Sequence, residues 1–307
     1  MYDVAIIGGG PGGTAAAVYA ARKLLKTVLI TESFGGQSVV STDIQNWIGT
    51  ISISGEELAK NLEAHVRAYA GDVVDIEKGS LVEKISESGE AFIVETKNGK
   101  KFEAKTVLIT SGGNRRKLDV PGALEFDQKG LTYCASCDGP LFSDMDVVVI
   151  GGGNAGFETA AQLLAYTKSV TLLHRSETFA ADPITVEKVL SHQNMKGVTN
   201  AETVEVMGDK FVSGLRYKDL KTGAETSLAV SGIFVEIGMV ASTHFAEGLV
   251  ELDSFKKIVV DKQTQATSKK GIWAAGDCTN GLYHQNNIAA GDAVKALEDI
   301  YVQLKAR

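Results

Sequence analysis

The chain has 307 residues, 44% hydrophobic and 22% charged, the balance of an ordinary soluble globular protein with room for two domains, each with its own core. Its 31 basic and 38 acidic side chains give a formal charge of −7, which argues against nucleic acid or an anionic membrane surface as a partner. No apolar stretch approaches a membrane span, no charged leader precedes a cleavage site, and three cysteines are too few for a disulfide framework, so a cytoplasmic protein with no membrane partner is expected.

The apolar run Val4-Ala5-Ile6-Ile7 leads into Gly8-Gly9-Gly10-Pro11-Gly12-Gly13, which reads as strand, tight turn and a helix at 14–22. A second strand at 27–30 ends near Glu32, about twenty residues past the loop, where an acid that binds a ribose belongs. The glycines let the backbone turn sharply and approach a pyrophosphate, whose charge then meets the unpaired N–H groups of a helix N-terminus. Strand, loop, helix, strand and acid in register predict a dinucleotide site that uses Gly8, Gly10, Pro11, Gly13 and Glu32. Ser54-Gly55-Glu56-Glu57 has the capping-box form, and Leu58, Leu62, Val66 and Tyr69 recur on one face, which predicts a packing helix at 55–69. From 72 to 109 the period changes to two, with Asn98-Gly99 as a hairpin turn between 91–97 and 101–109, predicting a small antiparallel layer over a nucleotide sheet.

Further along stands Cys134-Ala135-Ser136-Cys137, a short way before a second glycine loop, Gly151-Gly152-Gly153-Asn154-Ala155-Gly156. A buried parallel strand is expected at 146–150, a helix at 155–166 and the next strand at 169–173, so Gly151, Gly153, Asn154 and Gly156 would hold a second dinucleotide. A lone C-x-x-C is a redox or metal motif; the five histidines show no metal spacing, and no metal is expected. Asp182-Pro183 caps a helix to about 192, and strands at 198–206, 211–218 and 227–236 predict a second antiparallel layer. Gly271-Ile272-Trp273-Ala274-Ala275-Gly276-Asp277 reads as a strand that ends in small residues and an acid, and a last helix is expected at 285–304. The fold class is α/β, with two Rossmann-like three-layer dinucleotide-binding domains that each carry a small antiparallel β layer.

Phe34-Gly35-Gly36-Gln37, Asp43-Ile44-Gln45-Asn46-Trp47, the ten residues Tyr133-Cys134-Ala135-Ser136-Cys137-Asp138-Gly139-Pro140-Leu141-Phe142, the second glycine loop and Ala275-Gly276-Asp277-Cys278 follow one another in a familiar order. Over nearly its whole length the chain resembles the thioredoxin reductase family, and within it the reductase core of the alkyl hydroperoxide reductase flavoprotein. That resemblance implies FAD in the first unit and a nicotinamide nucleotide in the second, with the flavin converting two-electron hydride chemistry into dithiol chemistry. It implies a discontinuous FAD domain, 1–117 with 245–307, and an NAD(P)H domain, 118–244. Asp277 would bind the ribityl chain, and Gly36, Gln37, Asn46, Gly112, Gly276 and Gln285 would surround the flavin. Cys137 would face the flavin and Cys134 would attack the partner's disulfide, with Asp138 as proton donor or acceptor, a role that needs an elevated pKa from burial. A C-x-x-C arrangement lowers a thiol pKa from roughly 8.5 toward neutral. The resemblance also implies a homodimer, and domain rotation that lets dithiol and nicotinamide alternate at the flavin. Two departures stand out: Thr110-Ser111-Gly112 where the family has Ala-Thr-Gly, and Ala241 where it has proline.

The choice of nicotinamide is read at His174-Arg175-Ser176-Glu177-Thr178-Phe179-Ala180, which would hold the adenosine ribose. NADPH enzymes carry an arginine cluster there, because guanidinium forks match a 2′-phosphate. Arg175 remains, but Ser176 and Ala180 take the places of two further arginines and Glu177 would repel phosphate, so NADH is favoured and NADPH stays open. The expected partner is thioredoxin or a glutaredoxin-like disulfide carrier. A peroxiredoxin system is the alternative; with Gly8 so near Met1 the dithiol carrier is expected to be a separate protein. A nonenzymatic redox sensor is a further alternative, and the C-x-x-C argues against a reductase of ferredoxin-type carriers. Cys278, with no partner at C-x-x-C spacing, is expected to be a small buried filler.

Overall fold

In the computed structural model, which describes residues 1–41, 44–133 and 135–305 and the side chains of all of these but Val40, Ser136 and Cys137, the first strand is buried on both faces. Successive side chains of a strand point to opposite faces. In β1 (Tyr2–Gly9), Val4 and Ile6 therefore join one core while Ala5 and Ile7 join another. The first core is completed by α1 (Pro11–Arg22), and the parallel neighbour is β2 (Thr27–Phe34). A 3-10 turn at Gly36–Val40 leads toward α2 (Gly55–Ala70), whose N-cap Ser54 accepts the N–H of Glu57 at 3.2 Å. The buried stripe of α2 is Leu58, Leu62, Val66 and Ala70, a strict four-residue spacing. Tyr69, expected on that face, is instead exposed beside His65 and under the Arg22 guanidinium.

β3 (Val74–Lys78) is a parallel edge strand on β2 and not the start of the antiparallel layer. Gly71, at φ +47, turns the chain back at the end of α2, and the Thr27 N–H is already bonded to the Val73 carbonyl. The antiparallel layer is β4 (Val82–Ser88), β5 (Ala91–Thr96) and the first part of β6 (Lys101–Ile109), whose later residues run parallel to β1. One long strand thus belongs to both layers. Val82, Ile85, Phe92 and Val94 cover the face of Ala5 and Ile7, and the chain leaves through β7 (Gly113–Arg115).

The second unit repeats the plan. It contains β8 (Leu131–Thr132), α3 (Ala135–Asp138), β9 (Asp146–Ile150), α4 (Asn154–Leu163), β10 (Ser169–Leu173), α5 (Pro183–Leu190), β11 (Met195–Val198), β12 (Ala201–Gly208), β13 (Val212–Asp219), β14 (Glu225–Ala229) and β15 (Gly232–Val235). The parallel sheet has the order β11-β10-β9-β15-β8, and β12-β13-β14 form the antiparallel layer. Val147 and Val149 face α4 through Phe157, Ala160 and Leu163, while Val148 and Ile150 face Leu215 and Tyr217 of the antiparallel layer.

Three expected elements end differently. The strand expected at 198–206 breaks at Asn200, φ +54, into β11 of one sheet and β12 of the other. The strand expected at 227–236 likewise divides into β14 and β15. Its switch is Ser231-Gly232: Ser231 N–H bonds the Asp146 carbonyl, and a Cβ at Gly232 would lie 2.7 Å from the Phe142 ring. The helix expected to run to 166 stops at Leu163, whose carbonyl accepts from both the N–H and the hydroxyl of Thr167 at 2.9 Å.

The chain returns through β16 (Met239–Ala241) to β17 (Ile272–Ala274), which extends the first sheet beside β6, and to α6 (Asn286–Lys305). The compact units are Met1–Asn114 with Val240–Arg307, and Arg115–Met239. They divide earlier than the crossings expected at 117/118 and 244/245 because the flanking bonds are local to each unit. Ser242 exchanges bonds with Ser111 and Gly112 in the first, and Arg115 pairs with Glu236 and Lys117 with Asp127 in the second. Among the described residues no helix is long and apolar enough to cross a membrane. In α6, Ala293, Ala296 and Leu297 pack on Ala16, Ala17 and Ala20 of α1, small against small. Trp273 is 1% exposed and its indole N–H donates to Asp299 at 2.9 Å. Trp273→Ala should lower unfolding free energy by about 3–5 kcal/mol in a urea titration; a loss below about 1 kcal/mol, within the range of routine substitutions, would contradict this packing.

Candidate functional site

In the first unit the carboxyl ends of β1, β2, β6 and β17 open onto one cleft of about 620 Å³. Its lining brings together Gly8, Gly10 and Pro11 after β1, Glu32 in β2, Gly36 and Gln37 in the 3-10 turn, Gly112 after β6, Gly276 and Asp277 after β17, and Gln285 before α6. Steric facts explain the glycines. Gly8 has φ +111 and a Cβ there would lie 2.4 Å from the Thr110 carbonyl oxygen; at Gly13 it would lie 1.8 Å from that of Gly8. Gly10 faces space, with only the Gly36 Cα within 4 Å of such a carbon, so the start of α1 is an open cradle for a phosphate group. Two expected residues stand behind the cleft and not in its wall. Gly13 packs helix on strand, and Asn46 donates its amide N–H to the Gln285 side-chain oxygen at 3.0 Å.

Several wall residues had no signal in sequence. Ser80, Leu81, Val82 and Lys97 arrive from the antiparallel layer, and Ser242 and His244 from the returning chain. Asp277 itself has a neighbour that spacing did not reveal: His284 Nδ1 lies 3.4 Å from its carboxylate, and the far ring nitrogen of His284 lies 2.9 Å from the Lys257 ammonium. A Lys ammonium can only donate, so that nitrogen accepts.

The second unit reproduces the turn. A Cβ at Gly151, φ +124, would lie 2.0 Å from the Glu236 carbonyl oxygen, and at Gly156 it would lie 1.8 Å from that of Gly151, while Gly153 has nothing within 4 Å. Gly152 N–H donates to His174 Nδ1 at 3.2 Å, which places the His174 ring against the loop, and Asn154 Oδ1 accepts the N–H of Asp182 at 2.8 Å, tying α4 to α5. Arg175 is exposed. Glu177, read as a bare negative charge, is held by Lys221 at 2.5 Å. A residue unmarked in sequence is Glu236, whose carboxylate accepts from Arg115 and from the Thr159 hydroxyl, each at 3.0 Å. Burial pushes its carboxyl up, against the opposing pull of the Arg115 guanidinium and Thr159.

A sequence profile of the pyridine nucleotide-disulphide oxidoreductases matches residues 2–293. The chain belongs to that family. It is 41% identical over 295 residues to an NADH dehydrogenase of Bacillus subtilis (strain 168) and 40% identical over 296 residues to an alkyl hydroperoxide reductase of Escherichia coli (strain K12). Each match covers 96% of this chain and 57% of the relative, so the chain spans little more than half the length of these proteins. Among solved structures, a thioredoxin reductase of Lactococcus lactis is similar with a TM-score of 0.85 at 32% identity, and one of T. acidophilum with 0.83 at 36%, both over 98% of each chain. The expected resemblance to thioredoxin reductases, with similarity to an alkyl hydroperoxide reductase, is thereby shown, as is the two-domain α/β fold. Membership in this oxidoreductase family implies use of a flavin and NAD(P)H.

Of the family's dithiol, Cys134 and the side chain of Cys137 lie outside the described residues; the backbone of Cys137 is in α3. Asp138 ends that helix, half-buried, and its carboxylate accepts from the Thr132 hydroxyl. Among the described residues no three His, Cys, Asp or Glu side chains gather as a metal site. Cys278 is fully buried and its thiol donates to the carbonyls of Ala275 and Ile109 at 3.3 and 3.6 Å; burial pushes that thiol up to about 11. A thiol raised in this way stays protonated throughout the neutral range and becomes thiolate only as pH climbs toward that value. Mass spectrometry after brief iodoacetamide treatment of native protein near neutral pH should find Cys278 unmodified, with full modification in denaturant. Rapid native labelling would show that the residue is not enclosed.

Proposed function

We propose that this oxidoreductase is an FAD-dependent reductase that draws electrons from NAD(P)H, with NADH preferred, and delivers them through Cys134 and Cys137 to the disulfide of thioredoxin or a glutaredoxin-like carrier. The observation that carries this reading is the same glycine turn built twice in one chain, with Cys134-x-x-Cys137 lying between β8 and β9 of the second copy. The residues present fit both cofactors: each turn leaves one glycine facing open space at a helix N-terminus, Gly10 in the first and Gly153 in the second. In the first unit Glu32 would accept ribose hydroxyls, Asp277 would accept from a polyol, and Gln285, its oxygen engaged by Asn46, would present its amide N–H groups to the cleft. A flavin, when bound, couples the two-electron chemistry of a pyridine nucleotide to that of a dithiol.

The net reaction consumes NAD(P)H, one proton and a disulfide and yields NAD(P)+ and two thiols. Cys134 would attack the carrier's disulfide as thiolate, and Cys137 would then displace the reduced carrier by closing onto Cys134. Asp138 would move the proton: with Oδ2 engaged by Thr132, Oδ1 is left to take or give it. Preference for NADH rests on Ser176 and Ala180. A second reading, service to a peroxiredoxin through a separate carrier, is favoured by the identity to the alkyl hydroperoxide reductase of Escherichia coli. Assays with NADH and NADPH against thioredoxins and against a peroxiredoxin with its carrier distinguish the two.

Purified protein should be yellow and release FAD on denaturation. Cys134→Ser and Cys137→Ser should each abolish disulfide reduction yet leave bleaching of the flavin by NADH intact, because that step needs neither sulfur. Full carrier reduction by either variant would remove this pair from the mechanism. For the cofactor, NADH should show the higher kcat/KM, and Ser176→Arg with Ala180→Arg should move preference toward NADPH by about tenfold or more, since a charge-assisted bond is worth roughly 1.5–3 kcal/mol. A strong wild-type preference for NADPH would overturn that part of the reading.

A further inference from the structure

The repeated turn lets one ribose edge be read against the other. Ile7 of β1 is level with Ile30 of β2, and Ile150 of β9 is level with Leu173 of β10. Glu32 follows Ile30 at the same interval at which Arg175 follows Leu173, so the second unit has a guanidinium where the first has a carboxylate. Such an edge lacks the acid that would hold two ribose hydroxyls and repel a phosphate on one of them.

A second cation reaches this edge from far along the chain. Asn200 donates its N–H to the Ser176 carbonyl at 3.0 Å, and its own carbonyl accepts the N–H of Leu220 at 2.7 Å. Asp219 then fixes the β13–β14 turn by accepting the N–H groups of Lys221 and Thr222, each at 2.8 Å. This path of backbone bonds sets the Lys221 ammonium 2.5 Å from the Glu177 carboxylate. Both side chains are more than half exposed, so the pair is weak and exchanges readily with a dissolved anion. Arg175 takes no ion-pair partner among the described residues.

We propose that Lys221 is a specificity-determining residue for the pyridine nucleotide, with Glu177 as its competitor: the carboxylate occupies Lys221 and so withholds it from a 2′-phosphate. A nucleotide without that phosphate leaves the pair closed. One with it binds at the cost of opening the pair, and then gains Lys221 together with Arg175. The inference rests on the placement of the pyridine nucleotide in the second unit proposed above.

The test is calorimetric titration of the flavin-loaded, full-length protein with adenosine 2′,5′-bisphosphate and with 5′-AMP, which differ only in the 2′-phosphate, followed by displacement with NADH. Glu177→Gln should raise the bisphosphate-to-AMP affinity ratio by about two- to fivefold at low salt, and Lys221→Ala should lower it by a similar factor. In the double variant the gain should vanish, and high salt should shrink all of these differences. A ratio unchanged in Glu177→Gln, or a gain that survives Lys221→Ala, overturns the inference. If NADH displaces neither ligand, the nucleotide site itself has been misplaced; if NADH displaces both and residue 221 has no effect on the ratio, the inference alone fails.

Discussion

How closely a helix can approach the strand that feeds it decides the rest of this structure. At Gly13 and again at Gly156 any side-chain carbon would lie 1.8 Å from the carbonyl oxygen of the glycine that ends the strand. With only hydrogen there, α1 and α4 start directly above the carboxyl edges of their sheets. The adjacent strand closes the same point from the other side, where Gly8 meets Thr110 and Gly151 meets Glu236 through backbone alone. Three segments of main chain converge where no side chain fits, and their unpaired N–H groups face the space left over. Positive φ at Gly8 and Gly151 is the second half of the constraint, because an L side chain at +111 or +124 would be strained even with room to spare.

The two copies of this turn differ at their rims, and the difference separates their chemistry. In the first, the residue after β6 is Thr110, whose hydroxyl is spent on the Ile7 and Gly8 carbonyls, so the rim is neutral and the recognition groups come from farther away. In the second, the residue after β15 is Glu236, a mostly enclosed carboxyl that engages Arg115 and Thr159. The ribose edges are inverted as well, carboxylate in one and guanidinium in the other. A duplicated scaffold with unlike rims is what two unlike dinucleotides require.

What could be read in the sequence was whatever depends on local spacing. The glycine loops, the caps at Ser54 and Asp182, and the apolar runs of β1 and β9 each declare themselves within a dozen residues, and each appears as expected. The misreadings share one cause. At Asn200 and at Ser231-Gly232 the chain passes from one sheet to the other without a change in apolar character, so a continuous β pattern conceals two strands with different neighbours. Tyr69 follows the helical period yet lies one position off the stripe that Leu58, Leu62, Val66 and Ala70 define. At the site, the residues that escaped notice, Lys97, Lys221, Glu236 and His284, gain their meaning only from partners brought to them by the fold.

The wall after β17 shows how close reactive and inert positions can be. Asp277 lines the first cleft, and the next residue, Cys278, is completely enclosed. The sulfur is turned toward the ends of β6 and β17, where the Ile109 and Ala275 carbonyls accept its proton, and burial holds it as a thiol. A thiolate is the species that enters disulfide exchange, so a cysteine kept neutral cannot compete for the disulfides on which Cys134 and Cys137 are proposed to act. Adjacent side chains on an extended segment take opposite sides, and here that alternation gives the cleft a carboxylate while it removes from circulation the one remaining thiol of the chain.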